Sequence, residues 1–205
     1  FNGRFRNLKP REKEQALIES IDRLIKGFAT KSGSDRLPDW ELGWSENLKK
    51  LSEDSNDLDN LVPGYVRPGQ IMRLNGEYAI FEDAEIEKRY IALFRSWLSQ
   101  KFLVQYDSIY EFGCGSCSHV AYFAQNFPAK KIYGLDWAEA SVQICEVLKK
   151  QRGLNVEGRL FNFFEPDEKL NLDKNSAVLT FGALEQCGDQ YADFIDFLLQ
   201  KDPKI

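Results

Sequence analysis

The sequence has little of what marks several specialised protein classes. It contains one histidine, one methionine and four cysteines among 205 residues. No apolar run approaches the roughly 20 residues that a membrane-spanning helix needs, and residues 1–10 lack the apolar block of a signal peptide. Four scattered cysteines are too few for a disulfide framework and fit a reducing compartment. We therefore expect a soluble, cytoplasmic protein with no membrane partner.

Positive charge is scarce as well. Lys and Arg number 27 against 32 Asp and Glu, the net charge is -5, and no long Lys/Arg run is present. A domain that binds nucleic acid presents a basic face to the phosphates, so we expect no nucleic-acid partner. The length suits one main hydrophobic core with a small appendage.

Residues 1–83 predict a helical cap or arm. After Pro10, apolar residues recur at three- and four-residue spacing as far as Phe28, which predicts an amphipathic packing helix. Trp40 and Trp44 lie in a second, weaker helical pattern. The two tryptophans either pack this second helix or contact a substrate. Prolines and glycines in residues 62–77 argue against a helix there.

Residues 84–205 alternate between helical and strand patterns. Strands are predicted at 108–112, 131–135, 156–162 and 177–181, and helices at 84–102 and about 118–126, 138–151 and 191–200. This alternation is typical of an α/β fold with a doubly wound, mostly parallel sheet. Because the chain begins with Phe1 and ends where a fifth strand is expected, we expect a piece of a longer protein without its C-terminal strands.

The sharpest motif joins the first predicted strand to the next helix, and it reads Glu111-Phe112-Gly113-Cys114-Gly115-Ser116-Cys117. Glycines let the backbone turn tightly and let a ligand approach the main chain. A dinucleotide fingerprint requires a third glycine where Ser118 stands, and the acid would repel a pyrophosphate. A cationic ligand without phosphate fits better, and S-adenosylmethionine carries a sulfonium and an ammonium group.

The motif resembles the first signature of class I, Rossmann-like S-adenosylmethionine-dependent methyltransferases, acid-x-Gly-x-Gly-x-Gly, with Cys117 at the usual third glycine. Asp136 and Trp137, after the second predicted strand, resemble that family's ribose-binding acid and its neighbour, although any Rossmann-like site also places an acid there. Asn162-Phe163 resembles the pair that meets the adenine, and residues 180–186 resemble the segment facing the methyl donor, with Gln186 replacing a histidine.

The resemblance implies S-adenosyl-L-methionine as cofactor and methyl transfer to a small molecule, such as a sugar or a biosynthetic intermediate. It assigns to the cofactor Glu111, Gly113, Cys114, Gly115, Asp136, Trp137, Asn162, Phe163, Phe181 and, through the methionine carboxylate, Arg73. Weak candidates for a catalytic base are Glu77, Glu185, Asp189 and Tyr191. The core that carries these signatures is assigned to residues 84–205, ending before the fifth strand.

Other interpretations stay open at this point. Cys114 and Cys117 have the spacing of a thioredoxin-like redox motif. A zinc site would have only His119 and two distant cysteines to complete it, so we predict no metal. We expect His119 to cap or pack the helix it begins, although a general-base role is the alternative. Asp136, Asn162 and Trp137 also have plain structural interpretations, as a solvated acid, a turn residue and a core residue.

Two rival functions follow from the departures in the signatures. A non-catalytic S-adenosylmethionine-binding module is suggested by Cys117, by Gln186 and by the missing C-terminal strands. A Rossmann-type oxidoreductase would instead bind a nicotinamide dinucleotide, and its pyrophosphate would have to tolerate Glu111. The oligomeric state is not indicated by the sequence.

Overall fold

A computed structural model describes residues 3–26 and 33–205. In chain order the elements are β1 (Phe5–Asn7), α1 (Pro10–Ile25), α2 (Leu37–Glu53), β2 (Met72–Leu74), β3 (Glu77–Phe81), α3 (Ile86–Leu98), β4 (Ser108–Phe112), α4 (Ser118–Asn126), β5 (Lys131–Asp136), α5 (Glu139–Arg152), β6 (Val156–Leu160), β7 (Ser176–Thr180) and α6 (Ala192–Lys201). A π-helical turn, Ser99–Leu103, follows α3. Among the described residues, no helix combines the length and apolar character needed to cross a bilayer.

The chain forms two compact units, and each is built from two segments. The first comprises Phe1–Lys31 and Gly64–Trp97, and the second comprises Ser32–Pro63 and Leu98–Ile205. These units differ from the expected division into residues 1–83 and 84–205. The difference arises because residues 32–63, which carry α2, fold with the α/β part of the chain.

The first unit contains a three-stranded antiparallel sheet in the order β1-β3-β2. Its tight turn is Asn75-Gly76, where both residues have positive φ, 50° and 86°, between the paired residues Leu74 and Glu77. Asn-Gly is a strong hairpin signal because both residues tolerate that conformation. The sequence analysis excluded a helix here but did not identify these strands, since it took this dipeptide only as a sign against a helix.

Helix α1 begins at Pro10, and the Glu12 carboxylate accepts a hydrogen bond of 2.7 Å from the backbone N–H of Lys9. The described residues of its apolar stripe are Leu17, Ile18, Ile21, Leu24 and Ile25, whose exposed fractions run from 42% to 79%. Phe28, which was predicted to continue the stripe, lies outside the described residues. Of the described residues of α1, Ala16 alone is buried. The stripe was predicted to be a packing face, and in the structure it is exposed.

The second unit is built on a four-stranded parallel sheet in the order β6-β5-β4-β7. Two crossovers run to one side of β4 and the third runs to the other side, which is the 3-2-1-4 order of a Rossmann-like, doubly wound sheet. The predicted α/β fold class is therefore confirmed. The four strands and the helices between them also start within two residues of their predicted positions.

Both faces of this sheet are covered by hydrophobic side chains. Ile109 and Ile132 belong to one buried layer together with Ile144 of α5. Tyr110 and Phe112 belong to the opposite layer, which α6 completes with aromatic residues. Since successive strand residues point to opposite faces, burial on both sides explains why these strands are almost continuously apolar.

Helix α2 is held to the α/β unit by polar contacts as well as by packing. The backbone N–H of Ala140 donates to Glu41 Oε1 at 3.0 Å, at the start of α5. The Asn47 amide is buried and donates to the carbonyl oxygens of Asn60 and Val62, at 2.8 and 3.0 Å. Buried amides of this kind are costly to leave unbonded, so these contacts fix the path of residues 32–63.

The edge of the sheet beyond β7 pairs with the end of the chain. The Lys204 N–H donates to Ser176 O at 3.2 Å, and the Val178 N–H donates to Ile205 O at 2.8 Å. A fifth strand lies at this position in the 3-2-1-4-5 strand order of Rossmann-like sheets.

Replacing Gly43 by alanine is expected to raise the free energy of unfolding by about 0.5–1 kcal/mol. Gly43 lies in the interior of α2, where an added Cβ would meet no atom within 4 Å. Alanine restricts the unfolded chain and favours a helix, and nothing here opposes it. Urea denaturation followed by circular dichroism measures the change, and a loss of stability would contradict the packing described for α2.

Candidate functional site

The site lies at the switch point of the parallel sheet, where the carboxyl ends of β4 and β7 lie side by side. Connections leave β4 and β7 in opposite directions there, which opens a crevice that ligands commonly use in Rossmann-like folds. The glycine motif leaves β4 at Phe112, and the turn containing Gly182 leaves β7 at Thr180. The sheet topology therefore brings together two segments that lie about 70 residues apart in the sequence.

The glycine motif forms a tight turn, as the sequence predicted. Gly113, Gly115 and Cys117 have φ values of 72°, 52° and 59°, all in the left-handed region. The N–H groups of Gly113 and Cys114 both donate to the carbonyl of Leu135 on the neighbouring strand, at 2.7 and 3.0 Å. Cys117 adopts the conformation that glycine takes without strain, and a side chain there costs on the order of 1–2 kcal/mol.

Gly113 marks the closest approach of the two loops that border the crevice. A Cβ added at Gly113 would lie 2.3 Å from the Cβ of Ala183 and 3.5 Å from Phe163 Cζ. The absence of a side chain is thus required by space as well as by the positive φ. The main chain at Gly113 therefore lies directly against Ala183 and Phe163.

Asp136 ends β5 and is joined directly to the glycine turn. Its Oδ2 accepts a hydrogen bond from Gly115 N at 2.7 Å, and its Oδ1 accepts one from Ala138 N at 2.9 Å. The side chain is only 5% exposed. Sequence reasoning paired these two motifs, and the structure brings them into contact.

The protonation of Asp136 is governed mainly by burial. Desolvation raises its pKa to about 6 from the ordinary value of 3.8, while the hydrogen bonds from Ala138 and Gly115 oppose that rise. A carboxylate has about four lone-pair positions, and the two backbone bonds occupy two of them. Asp136 therefore retains capacity to accept hydrogen bonds from a ligand.

Glu111 lies one residue before the end of β4, in the central part of the sheet. It is 1% exposed and is paired in register with Gly134 and Leu179 on the two neighbouring strands. It therefore places a carboxyl group inside the fold, in the strand that leads into the glycine turn. Direct contact between Glu111 and a ligand stays a prediction.

Trp44 of α2 lies over the other glycine of the turn. A Cβ on Gly115 would meet the Trp44 ring at 2.8 Å, and the ring also packs with Ala138. Trp40 stacks on Trp44 with a centroid distance of 5.3 Å, and the Arg36 guanidinium lies over Trp40 at 4.9 Å. The sequence left open whether the two tryptophans pack a helix or contact a substrate, and the structure places the Trp44 ring against Gly115.

The residues predicted to meet the adenine lie beyond β5 and β6. Trp137 packs against Phe164 with a centroid distance of 5.5 Å. Asn162 Oδ1 accepts a hydrogen bond from Phe164 N at 3.0 Å, which is the turn role that the sequence left open. Phe163 is buried and stacks on Phe194 of α6 at 4.2 Å, so its ring supports the loop that carries Asn162.

Phe181 and the single histidine form a pair. The Phe181 ring stacks on His119 of α4, with a centroid distance of 4.2 Å. This contact agrees with the packing role expected of His119. Glu185 lies in the turn Leu184–Cys187, and Tyr191, which is 49% exposed, precedes α6, so both follow β7 on the switch-point side of the chain.

Arg73 and Glu77 belong to the first unit. The Arg73 guanidinium lies over the Tyr78 ring at 5.8 Å, and the Glu77 carboxylate pairs with Lys13 at 2.7 Å. These are contacts within the small antiparallel sheet and its helix. The roles assigned to Arg73 and Glu77 by resemblance stay predictions.

The cysteines are arranged differently from the expectation. Cys145 of α5 was taken to be distant from the Cys114/Cys117 pair, but its Sγ lies 3.4 Å from Cys117 Sγ. Burial raises the pKa of both the Cys114 and the Cys117 thiols well above the usual value. A reactive redox thiol requires the opposite shift. In this cluster that shift falls on Cys145, whose pKa is lowered to about 5 by hydrogen bonds from Cys114 and Cys117, so the arrangement differs from that of a Cys-x-x-Cys redox pair.

Comparisons with known proteins give fold-level similarities only. No protein-family model matches the chain, and no curated protein matches it. It is similar to the [4+2]-cyclase SpnF, with 14% identity over 79% of this chain and 56% of that one and a TM-score of 0.49. It is also similar to coclaurine N-methyltransferase, with 12% identity over 84% of this chain and 51% of that one and a TM-score of 0.44.

A third similar structure is the tRNA (uracil-54, C5)-methyltransferase of Pyrococcus abyssi, with 14% identity over 66% of this chain and 32% of that one and a TM-score of 0.44. The chain spans about half the length, 56% and 51%, of the first two structures. Methyltransferases are thus among the solved structures that the chain resembles, as its signatures predicted. The absence of a nucleic-acid partner stays a prediction.

Proposed function

We propose that the second unit binds S-adenosyl-L-methionine and that the protein transfers its methyl group to a small-molecule acceptor. The observation that carries this proposal is the contact between Asp136 and the glycine turn at the switch point of the sheet. This contact holds a strand-end carboxylate beside a turn of glycines without side chains, the combination that ribose and a methionine group require.

The charge of the site supports this ligand over a dinucleotide. Asp136 contacts the turn, and Glu111 lies in β4, one residue before the turn begins. Glu41 of α2 bonds to the start of α5 and is near enough to raise the pKa of Asp136. Three carboxyl groups favour the sulfonium and ammonium of S-adenosylmethionine and oppose a pyrophosphate. The residues present therefore fit the proposed cofactor.

The proposal gives each part of the site one role. Asp136 accepts hydrogen bonds from the ribose hydroxyls, and the main chain of Gly113 and Gly115 faces the methionine end. Trp137 and the Asn162 segment flank the adenine, where Asn162 Oδ1 can accept a second bond besides that of Phe164 N. When bound, the cofactor supplies an electrophilic methyl group on a positively charged sulfur.

The chain's own contribution to catalysis is then alignment and the exclusion of water. Ala183 and Phe163 border the crevice at Gly113 and limit its width. An acceptor hydroxyl would also need a base within hydrogen-bond reach, and Glu185 and Tyr191 are the candidates that follow β7. Glu77, in the first unit, stays a weaker candidate.

Calorimetric titration of the purified chain tests the proposal. S-adenosylmethionine and its demethylated product are expected to bind at one site, and NAD, the control ligand, is expected not to bind. Binding of NAD alone would favour the oxidoreductase. Cofactor binding without methyl transfer to any of a panel of small hydroxyl, amine and carbon acceptors would favour the non-catalytic module.

The affinity for the demethylated product is expected to fall as the pH is lowered from 7 to 5. The pKa of Asp136, about 6, means that its carboxylate becomes protonated in this range and loses its charge as an acceptor. The loss approaches about tenfold per pH unit below that value if only the ionised form binds. Titrations at three pH values measure it, and an Asp136→Ala variant should bind with no such dependence.

A further inference from the structure

Three cysteine sulfurs converge directly beneath the glycine turn. Cys114 Sγ lies 3.6 Å from Cys117 Sγ, which lies 3.4 Å from Cys145 Sγ, and all three sulfurs are within 4.8 Å of one another. All three residues are buried, and none forms a disulfide. The cluster joins the turn after β4, the start of α4 and the middle of α5.

Two features of the backbone make this convergence possible. Cys117 takes a φ of 59°, so a residue with a side chain accepts a conformation that is easy only for glycine. Gly134 of β5 provides the space, because a Cβ there would lie 2.7 Å from Cys145 Sγ and 3.1 Å from Cys114 Sγ. A strained cysteine and a bare glycine are unusual if the sulfurs serve only to fill the core.

We propose that Cys114, Cys117 and Cys145 form a binding site for one thiophilic metal ion, Cu(I) or Zn²⁺, under the glycine turn. Thiolates are the preferred ligands of both ions. With metal–sulfur bonds of about 2.3 Å, three sulfurs around one ion stand roughly 3.8–4.0 Å apart. The observed separations of 3.4 and 3.6 Å approach this, and an outward shift of a few tenths of an ångström admits the ion.

Binding requires the thiols to lose their protons. Each ligating thiol releases one proton to solvent, its sulfur donates an electron pair to the ion, and no electron is transferred. Cys117 also gives up its hydrogen bond to Ser141 O, now 3.3 Å long. Among the described His, Cys, Asp and Glu residues, no fourth side chain places a ligand atom within 4.8 Å of all three sulfurs. A set of three thiolates is complete for Cu(I), whereas Zn²⁺ prefers a fourth ligand.

The ion would fix the position of the glycine turn from below. Cys114 and Cys117 belong to that turn, whereas Cys145 belongs to α5, so coordination ties the turn to the helix that follows Asp136. This site does not depend on the proposed cofactor or on methyl transfer. Its failure and the failure of the methyltransferase proposal are therefore separate outcomes.

The test uses the purified full chain, reduced with a phosphine, stripped by a chelator and dialysed without oxygen against Cu(I) or Zn²⁺ in separate arms. Elemental analysis is expected to find roughly one equivalent of one of these ions per chain. Competition with a chromophoric chelator measures the affinity in each arm. Retention of neither ion would overturn the proposal.

Cys117→Gly is the main variant, because glycine suits the positive φ and the fold is expected to persist. In the chelator competition it should bind the ion at least about tenfold more weakly than the unchanged chain, as should Cys145→Ala, since either variant removes one of the three thiolates. Cys187→Ala is the matched control, because Cys187 is buried in the opposite layer of the core, and it should keep the affinity of the unchanged chain. Unchanged affinity in a folded Cys117→Gly protein, or weaker binding in Cys187→Ala alone, would contradict the assignment.

Discussion

Replacing Gly113 by alanine is expected to lower the free energy of unfolding by about 2–4 kcal/mol and to remove binding of S-adenosylmethionine. Two costs combine at this position. The backbone has a φ of 72°, which an L side chain adopts with strain, and the new Cβ would lie 2.3 Å from the Ala183 Cβ. Relief of that clash moves the loop after β7 or the glycine turn itself, and both border the crevice.

Urea denaturation and calorimetry measure the two effects of Gly113→Ala separately. Gly153→Ala is the matched control, because Gly153 has a similar φ of 64° but nothing within 4 Å of an added Cβ. It should show the cost of backbone strain alone, about 1–2 kcal/mol, with unchanged ligand affinity. Equal losses of unfolding free energy in Gly113→Ala and Gly153→Ala would mean that the loop after β7 does not contact Gly113 as described.

Replacing Asp136 by alanine is expected to weaken binding of S-adenosylmethionine by about 1–3 kcal/mol, or roughly 5- to 150-fold. The carboxylate would lose its charged hydrogen bonds to the ribose hydroxyls. It also holds Gly115 N and Ala138 N, so its removal loosens the turn on which the ligand rests. Calorimetric titration at pH 7.5, where the carboxylate is ionised, measures the change.

The same substitution is expected to change the free energy of unfolding by no more than about 3 kcal/mol, because two opposing effects partly cancel. Because the pKa of Asp136 is raised in the folded state to about 6, its ionised form costs stability at neutral pH, on the order of 3 kcal/mol. The substitution removes this cost. It also leaves two backbone N–H groups without their acceptor, which lowers the free energy of unfolding by about 1–3 kcal/mol each, so the two effects partly cancel. Glu146→Ala, which removes an exposed carboxylate on α5, serves as the control. An equal loss of affinity in that variant would contradict the role of Asp136 in binding the ligand.

Much of the site was predictable because its signals are local. The glycine turn follows a short apolar strand and precedes an amphipathic helix, and each of these patterns spans fewer than ten residues. Asp136 was identifiable for the same reason, as the acid that ends the next strand. The parallel pairing of β4 and β5 then brings the two motifs together, since connected parallel strands end at the same edge.

Other predictions failed where a local pattern has two tertiary outcomes. The apolar stripe of α1 has the period of a packing face, but periodicity does not state what covers it, and in the structure it is exposed. The hairpin at Asn75-Gly76 was missed because its glycine was taken only as a sign against a helix. Strand β1, which pairs with β3 of the hairpin, lies more than 60 residues earlier.

The sequence by itself determined the order of strands and helices from residue 84 onward, the tight glycine turn at the end of β4 and the acid that ends β5, because backbone propensity and hydrophobic period act over a few neighbouring residues. Only the tertiary structure decided that Trp44 covers Gly115 and that Cys145 completes a cluster with Cys114 and Cys117. These contacts join α2 and α5 to a turn far away along the chain, and close packing rather than local propensity selects them.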